Sequence, residues 1–237
     1  MQIRTVPISR GLDWITEGFA LFRLNPLIWI ANLVIFLAIF TLLFLIPFIG
    51  SIAGMLLQPV LIGGMLLGCR ALEQGRELLV EHLFAGFREN TQALLMVGLI
   101  SGAAYLLVGL VMFLVVGGAI GLGALAGLTE QPDLALGGAM LGLLFSGLIG
   151  LALTVPIAMA TWFAPALVVF DHMLAWDAMK TSFSACLSNM LPFLLYGIIA
   201  LVLTGLAMIP FGLGLLVLLP TLFASVYAGY RDIFTAV

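Results

Sequence analysis

The chain has 237 residues, 64% of them hydrophobic and 8% charged, with a formal net charge of −3. Soluble domains carry about 25% charged residues, so a soluble fold is excluded. The apolar runs are continuous rather than alternating, which excludes a transmembrane barrel and leaves helices. So small a charge, with no dense basic cluster, also argues against a nucleic-acid partner.

In chain order, residues 1–26 carry Arg4, Arg10, Asp13, Glu17 and Arg23 ahead of the first apolar run. That run passes the roughly 20 residues a spanning helix needs, so it reads as a retained anchor rather than a cleaved signal. Charge-free runs then cover 24–69, 90–129, 134–170 and 181–230. The first fits two spans, 27–47 and 51–70, split near Pro47-Phe48-Ile49-Gly50-Ser51. The second gives one span at 93–115, followed by a Gly-rich stretch at 117–127 and the polar turn Thr129-Glu130-Gln131-Pro132-Asp133. The third gives a span at 140–168, longer than the roughly 30 Å hydrocarbon core requires and open to tilt or to kinks at Pro156 and Pro165. The fourth gives two more, 191–209 and 213–231, split near Pro210-Phe211-Gly212.

Six spans place all eight Lys and Arg residues on one side, with Glu130 and Asp133 on the other. The positive-inside rule then puts both termini in the cytoplasm. Each hairpin is preceded by the same short pattern, a Phe, then Phe or Cys three residues on, then Asn three further. The copies are Phe19–Phe22–Asn25, Phe84–Phe87–Asn90 and Phe183–Cys186–Asn189. Spacings of three share a helix face. The expected architecture is therefore all-α: one transmembrane domain over 1–237, built as three hairpins, each led by a cytoplasmic amphipathic helix. Pro59, Pro156 and Pro220 fall in the returning helices, and Arg70 and Arg231 each follow their proline by eleven residues. Internal repeats over 9–72, 73–172 and 173–237 follow from this pattern. Asn25, Asn90 and Asn189 are expected at the joints, capping the next helix through their side chains, with Pro26 at the first helical position.

Arg10-Gly11, Trp14, Gly18-Phe19, Phe22-Arg23, Asn25-Pro26, Cys69-Arg70, Gly86-Phe87-Arg88 and Trp162-Phe163-Ala164-Pro165 form a recognisable series, closed by Phe223-Ala224-Ser225-Val226-Tyr227-Ala228-Gly229-Tyr230-Arg231-Asp232-Ile233-Phe234. Over nearly its whole length the chain resembles a family of uncharacterised bacterial polytopic inner-membrane proteins of unknown function. The resemblance implies a six-span inner-membrane protein and brings no catalytic residues.

No Asp, Glu, Lys, Arg or His falls in the core of an expected span, where pumps, proton-coupled transporters and intramembrane hydrolases place theirs. No phosphate loop, HExxH pair or cysteine metal framework is present. The expectation is a protein that is not an enzyme and holds no cofactor or metal. Asn32, Gln58 and the three prolines could line a groove, or simply bond between helices and kink them. Gly117, Gly121, Gly138 and Gly142 have small-xxx-small spacing, suited to packing within the bundle or to a homo-oligomer face. Glu73, Glu77 and Glu81 read as one solvated helix face beside His82. Asp171-His172 and Asp177 read as polar loop, and Trp14, Trp29, Trp162 and Trp176 as interfacial aromatics. Cys69 and Cys186 read as small apolar residues. Two functions remain: an accessory or envelope-organising component, or a carrier or binder of lipid or another apolar molecule. The implied partners are membrane lipids and either a protein partner or a second copy.

Overall fold

The computed structural model describes residues 2–127 and 132–235. Every regular element among them is helical: α1 Arg10–Leu24, α2 Pro26–Phe44, α3 Ile49–Glu73, a 3-10 helix Val80–Phe87, α4 Thr91–Gly127, α5 Pro132–Trp162, α6 Ala164–Asp171, α7 Ala175–Ser188, α8 Met190–Met208 and α9 Leu215–Phe234. Five helical stretches are long and apolar enough to cross a membrane: Pro26–Phe44, Ile49–Glu73, Thr91–Gly118, Met140–Asp171 and Met190–Met208. The sixth expected span, α9, forms as a helix but is not among the five. Thr221, Ser225, Tyr227, Tyr230, Arg231 and Asp232 dilute its apolar content. Glu130, on the expected outer turn, lies outside the described residues.

Several boundaries differ from the sequence reading. The third expected span does not stop at 115, because α4 remains helical through the Gly-rich stretch to Gly127. The intervening Ala, Ile and Leu residues tolerate single glycines in a helix. The long third run breaks once, at Phe163, just before Pro165, while α5 continues through Pro156. Pro165 has no N–H for the helix ladder. The break is completed by Ser182, whose hydroxyl accepts from Phe163 N–H at 3.0 Å and donates to Met159 C=O at 2.6 Å. That hydroxyl is inserted into the bond the helix would otherwise make.

The acidic face over Glu73, Glu77 and Glu81 does not form. Gly75, at φ +74°, ends α3. Arg76 N–H bonds Ala71 C=O at 2.9 Å and Gly75 N–H bonds Leu72 C=O at 3.0 Å. This is the paired closure of a Schellman motif, which needs a left-handed residue and so favours Gly. Glu73 therefore lies on α3, Glu77 in an irregular link and Glu81 on the 3-10 helix.

The chain forms two compact units, Met1–Leu99 with Met159–Val237, and Ile100–Ala158. In the first, α1 lies along α9 and also meets α8, while α3 packs against the 3-10 helix. The face that α1 buries, Gly11, Trp14, Ile15, Gly18 and Phe22, has helical spacing and is turned onto protein. Trp14 and Trp29 are fully buried in the protein, and of the four tryptophans Trp176 is the most exposed. In the second unit most large side chains stand open, Leu106, Leu107, Phe113, Leu114, Leu144 and Phe145 among them. There α4 and α5 meet where Met112 covers Gly150.

Candidate functional site: the asparagine joints and the arginine network

Asn25 and Asn189 sit between helices in non-helical conformations, and Asn90 is left-handed at φ 52°. Each opens the next helix with its main-chain carbonyl: Asn25 to Trp29 N–H, Asn189 to Phe193 N–H, and Asn90 to Ala93 and Leu94 N–H. The expected side-chain caps are absent at Asn25 and Asn189. Their amides reach instead to other segments. Asn25 Nδ2 donates to Leu78 C=O at 3.3 Å, and Asn90 Nδ2 to Val168 C=O at 3.5 Å. Asn189 Nδ2 donates to Arg4 C=O and to Ala185 C=O, both at 3.0 Å, while its Oδ1 accepts from Val6 N–H at 2.9 Å. Leu78 lies just ahead of the second motif, Val168 ahead of the third and Arg4 ahead of the first. Each Asn thus fastens the backbone leading into the next copy, and the third closes on the first.

The lead-in segments are not alike. α1 and α7 are α-helices, but the second is a short 3-10 helix. Gly86 presses so closely on α3 that a Cβ there would stand 2.0 Å from Val60 C=O. His82 Nδ1 accepts Leu79 N–H at 2.9 Å and fixes the start of this turn. Of the paired motif residues, Phe22 and Cys186 are buried, whereas Phe19, Phe84 and Phe87 are exposed.

The most connected polar group was not visible as a site in the sequence. Arg10 Nε donates to Asp232 Oδ2 at 2.6 Å, and Trp14 Nε1 donates to the same oxygen at 3.0 Å. Arg10 also bonds Glu17 at 3.0 Å and Asp13 at 3.3 Å. Arg231 continues the chain to Glu17 at 2.7 Å and to Glu73, which also accepts from Tyr227 OH. Tyr230 OH donates to Asp171 at 2.7 Å, and the Arg70 guanidinium lies 4.8 Å from the Phe170 ring centroid. Hydrogen bonding to Asp232 holds the Arg10 guanidinium charged even more firmly than usual, against the opposing effect of burial. The network ties α1, α3, α6 and α9 together. Its one sequence signal was the presence of both charges near helix ends, which carries no pairing information.

The remaining candidates do not converge. Asn32 is shut in at 1% exposure, and its Oδ1 has no partner among the described residues, nor has Trp29 Nε1 one turn away. Gln58 and Pro156 are exposed, and Pro59 and Pro220 are buried. None of these lines a described cavity. Two cavities of the first unit lie elsewhere: one of about 450 Å³, almost wholly apolar, between α1, α8 and α9, and one of about 480 Å³ where α2 begins and α3 ends. Cys69 and Cys186 are free and buried. Burial pushes the Cys186 thiol up to about 12, far from a reactive thiolate.

No family model matches the chain, and no solved structure matches it. A protein of Burkholderia thailandensis, named as a probable inner membrane protein, is 32% identical, with 99% of this chain and 94% of that one covered. Identity at that level over nearly both full lengths, with several helices fit to span a bilayer, places this chain in the family of that inner membrane protein.

Proposed function

We propose that the protein is a non-catalytic accessory component of the inner membrane that holds a partner or organises the envelope. In this reading α9 is the sixth span, the eight basic residues and both termini face the cytoplasm, and the three hairpins are repeats. The observation that carries it is the Arg10–Glu17–Arg231–Glu73 chain with Asp232 and Tyr227. The charged groups gathered at the ends of α3 and α9 are spent on holding helices to one another, the work of a scaffold. The asparagine fastening, repeated at all three joints, supports the repeat. The open apolar faces of α4 and α5 supply area for lipid or for another membrane helix.

A second reading, a binder or carrier of lipid or another apolar molecule, draws support from the apolar cavity between α1, α8 and α9, where Leu12, Phe19, Leu203 and Val217 meet. Purification in mild detergent with mass spectrometry of what comes along separates the two. The accessory reading expects a stoichiometric protein partner; protein-free particles carrying only lipid overturn it. Topology is tested by single cysteines at Gln74 and Phe211, both exposed. Labelling of the two from opposite faces is expected, and labelling from one face overturns the six-span arrangement.

A further inference from the structure

We propose that the cavity at the first turn of α2 is a phospholipid headgroup site selective for a phosphatidylethanolamine. Its walls come from the last turns of α1 and α3, the start of α2 and the link that follows Gly75. α2 and α3 are two of the helices fit to span, one beginning and the other ending here. The cavity therefore stands at a membrane boundary, where headgroups lie. Its body is apolar, with Leu24, Ile28, Leu72 and Leu79 as lining. Leu24 and Leu79 are 62% and 47% exposed, so the apolar side is open toward acyl chains.

The polar rim carries one cation and one anion, Arg76 and Glu77. They are neighbours in a non-helical link, and both are exposed. Neither takes part in an ion pair among the described residues. Among the described residues Arg76 Nη2 donates only to the neutral Gln74 Oε1, at 2.6 Å. This sets it apart from Arg10 and Arg231, whose charge is met by carboxylates. Asn25 also lines the cavity; its Nδ2 is taken by Leu78 C=O, and its Oδ1, an acceptor, has no donor among the described residues.

This rim selects among lipids by charge and donor count. A phosphate suits the Arg76 guanidinium, which binds phosphate oxygens through paired N–H donors. A primary ammonium suits Glu77 and Asn25 Oδ1, because it offers three N–H donors. A phosphatidylethanolamine supplies both groups on one headgroup. A phosphatidylglycerol supplies the phosphate but sets no cation against Glu77. A phosphatidylcholine supplies a cation without N–H donors and with three methyl groups to place. The inference stands on this cavity alone, whether or not the protein has a partner.

The test uses the full chain, stripped of lipid in detergent and then exposed to mixed micelles of dioleoyl phosphatidylethanolamine, phosphatidylglycerol or phosphatidylcholine. Native mass spectrometry counts the lipid retained. Phosphatidylethanolamine should be held about tenfold more tightly than either competitor, the scale of one charge-assisted contact. Arg76→Ala should lower its retention about tenfold, and Glu77→Gln should bring it down to the phosphatidylcholine level. Both side chains are exposed, so both variants should keep the wild-type Tm. Should Arg76→Ala melt early, the isosteric Glu77→Gln decides by itself. Equal retention of the three lipids, preference for phosphatidylglycerol, or unchanged phosphatidylethanolamine retention in Glu77→Gln would overturn the assignment.

Discussion

At Gly18 an added Cβ would stand 2.5 Å from Thr221 C=O, and at Gly86 2.0 Å from Val60 C=O. At Gly109, Gly117, Gly118, Gly121, Gly137 and Gly147 it would meet nothing within 4 Å. The first pair belongs to the unit built from the two ends of the chain, the second set to the unit Ile100–Ala158. One residue type thus does two jobs. In the first unit Gly18 and Gly86 let backbones touch, where α1 meets α9 and where the 3-10 helix meets α3, as Gly11 does against Pro192 of α8 and Gly98 against Met55 of α3. In the second unit these six glycines stand on open helix surface beside exposed Leu and Phe. Gly117, Gly121, Gly137 and Gly147 therefore make no close helix contact among the described residues, and the surroundings of Gly138 lie outside them. A motif for close packing says that backbones can approach, not that they do.

The largest expected effect lies in the first unit. Gly86→Ala must push two backbones apart, because the obstructing atom is a carbonyl and no rotamer relieves it. A loss of about 3 kcal/mol is expected, the upper part of the usual cost of overpacking, read as a lowered Tm in detergent. Stability equal to wild type would show that the 3-10 helix does not sit against α3 as described.

Asn189→Ala ranks next and separates the three joints from one another. Asn189 is fully buried, and its amide meets three backbone groups, two of them in the segment that runs ahead of α1. Leaving these unmet should cost about 2 kcal/mol and make residues 2–8 open to limited proteolysis. Asn25→Ala and Asn90→Ala each remove one long bond from a partly exposed group. About 0.5–1 kcal/mol is expected for each. Equal losses at all three positions would mean that a shared feature, the joint conformation itself, matters more than the fastening.

How much of this was legible in the sequence follows from the kind of interaction. The helices, the joints at Asn25, Asn90 and Asn189 and the break before Pro165 are local, written in apolar run length, in an Asn before a charge-free stretch and in a missing N–H. The destination of each asparagine amide is not local. Leu78, Val168 and Arg4 offer only their backbone carbonyls, which every residue has, so no side chain announces the partner. The same holds for Ser182, whose insertion between Phe163 and Met159 could be found only with α5 and α7 in place. Arg10 and Asp232 are 222 residues apart, and pairing at that range needs the fold. Trp14 reads as an interfacial aromatic until Asp232 is seen beside its indole N–H. Glu73, Glu77 and Glu81 keep helical spacing in the sequence but share no face, because Gly75 ends the helix between them.

Asn32→Leu should change stability in the opposite direction. Asn32 lies inside the first unit with its Oδ1 unmet among the described residues, and an unsatisfied buried acceptor costs about 1–3 kcal/mol. Leu has the same branched shape as Asn and brings no polar atom. A gain of about 1 kcal/mol in detergent is expected. If the stabilised variant also loses a co-purifying partner or lipid, Asn32 is kept for that contact. A loss of stability would show that Oδ1 is met in solution.

The smallest expected effect bears most directly on what covers the second unit. Gly147→Ala adds one methyl group to an exposed position on α5. An exposed helical Gly is about 1 kcal/mol less favourable than Ala, so the variant should be neutral or slightly more stable if this face lies against acyl chains, which yield to a methyl. A second helix seated there would not yield, because glycine is what allows its backbone to come close. Measured in detergent and again in reconstituted bilayers, an unchanged or raised Tm in both places lipid on the α5 surface. A fall seen in bilayers, with the purified monomer in detergent unaffected, would place a protein helix there and convert the open glycine surface into the docking face that the accessory reading requires.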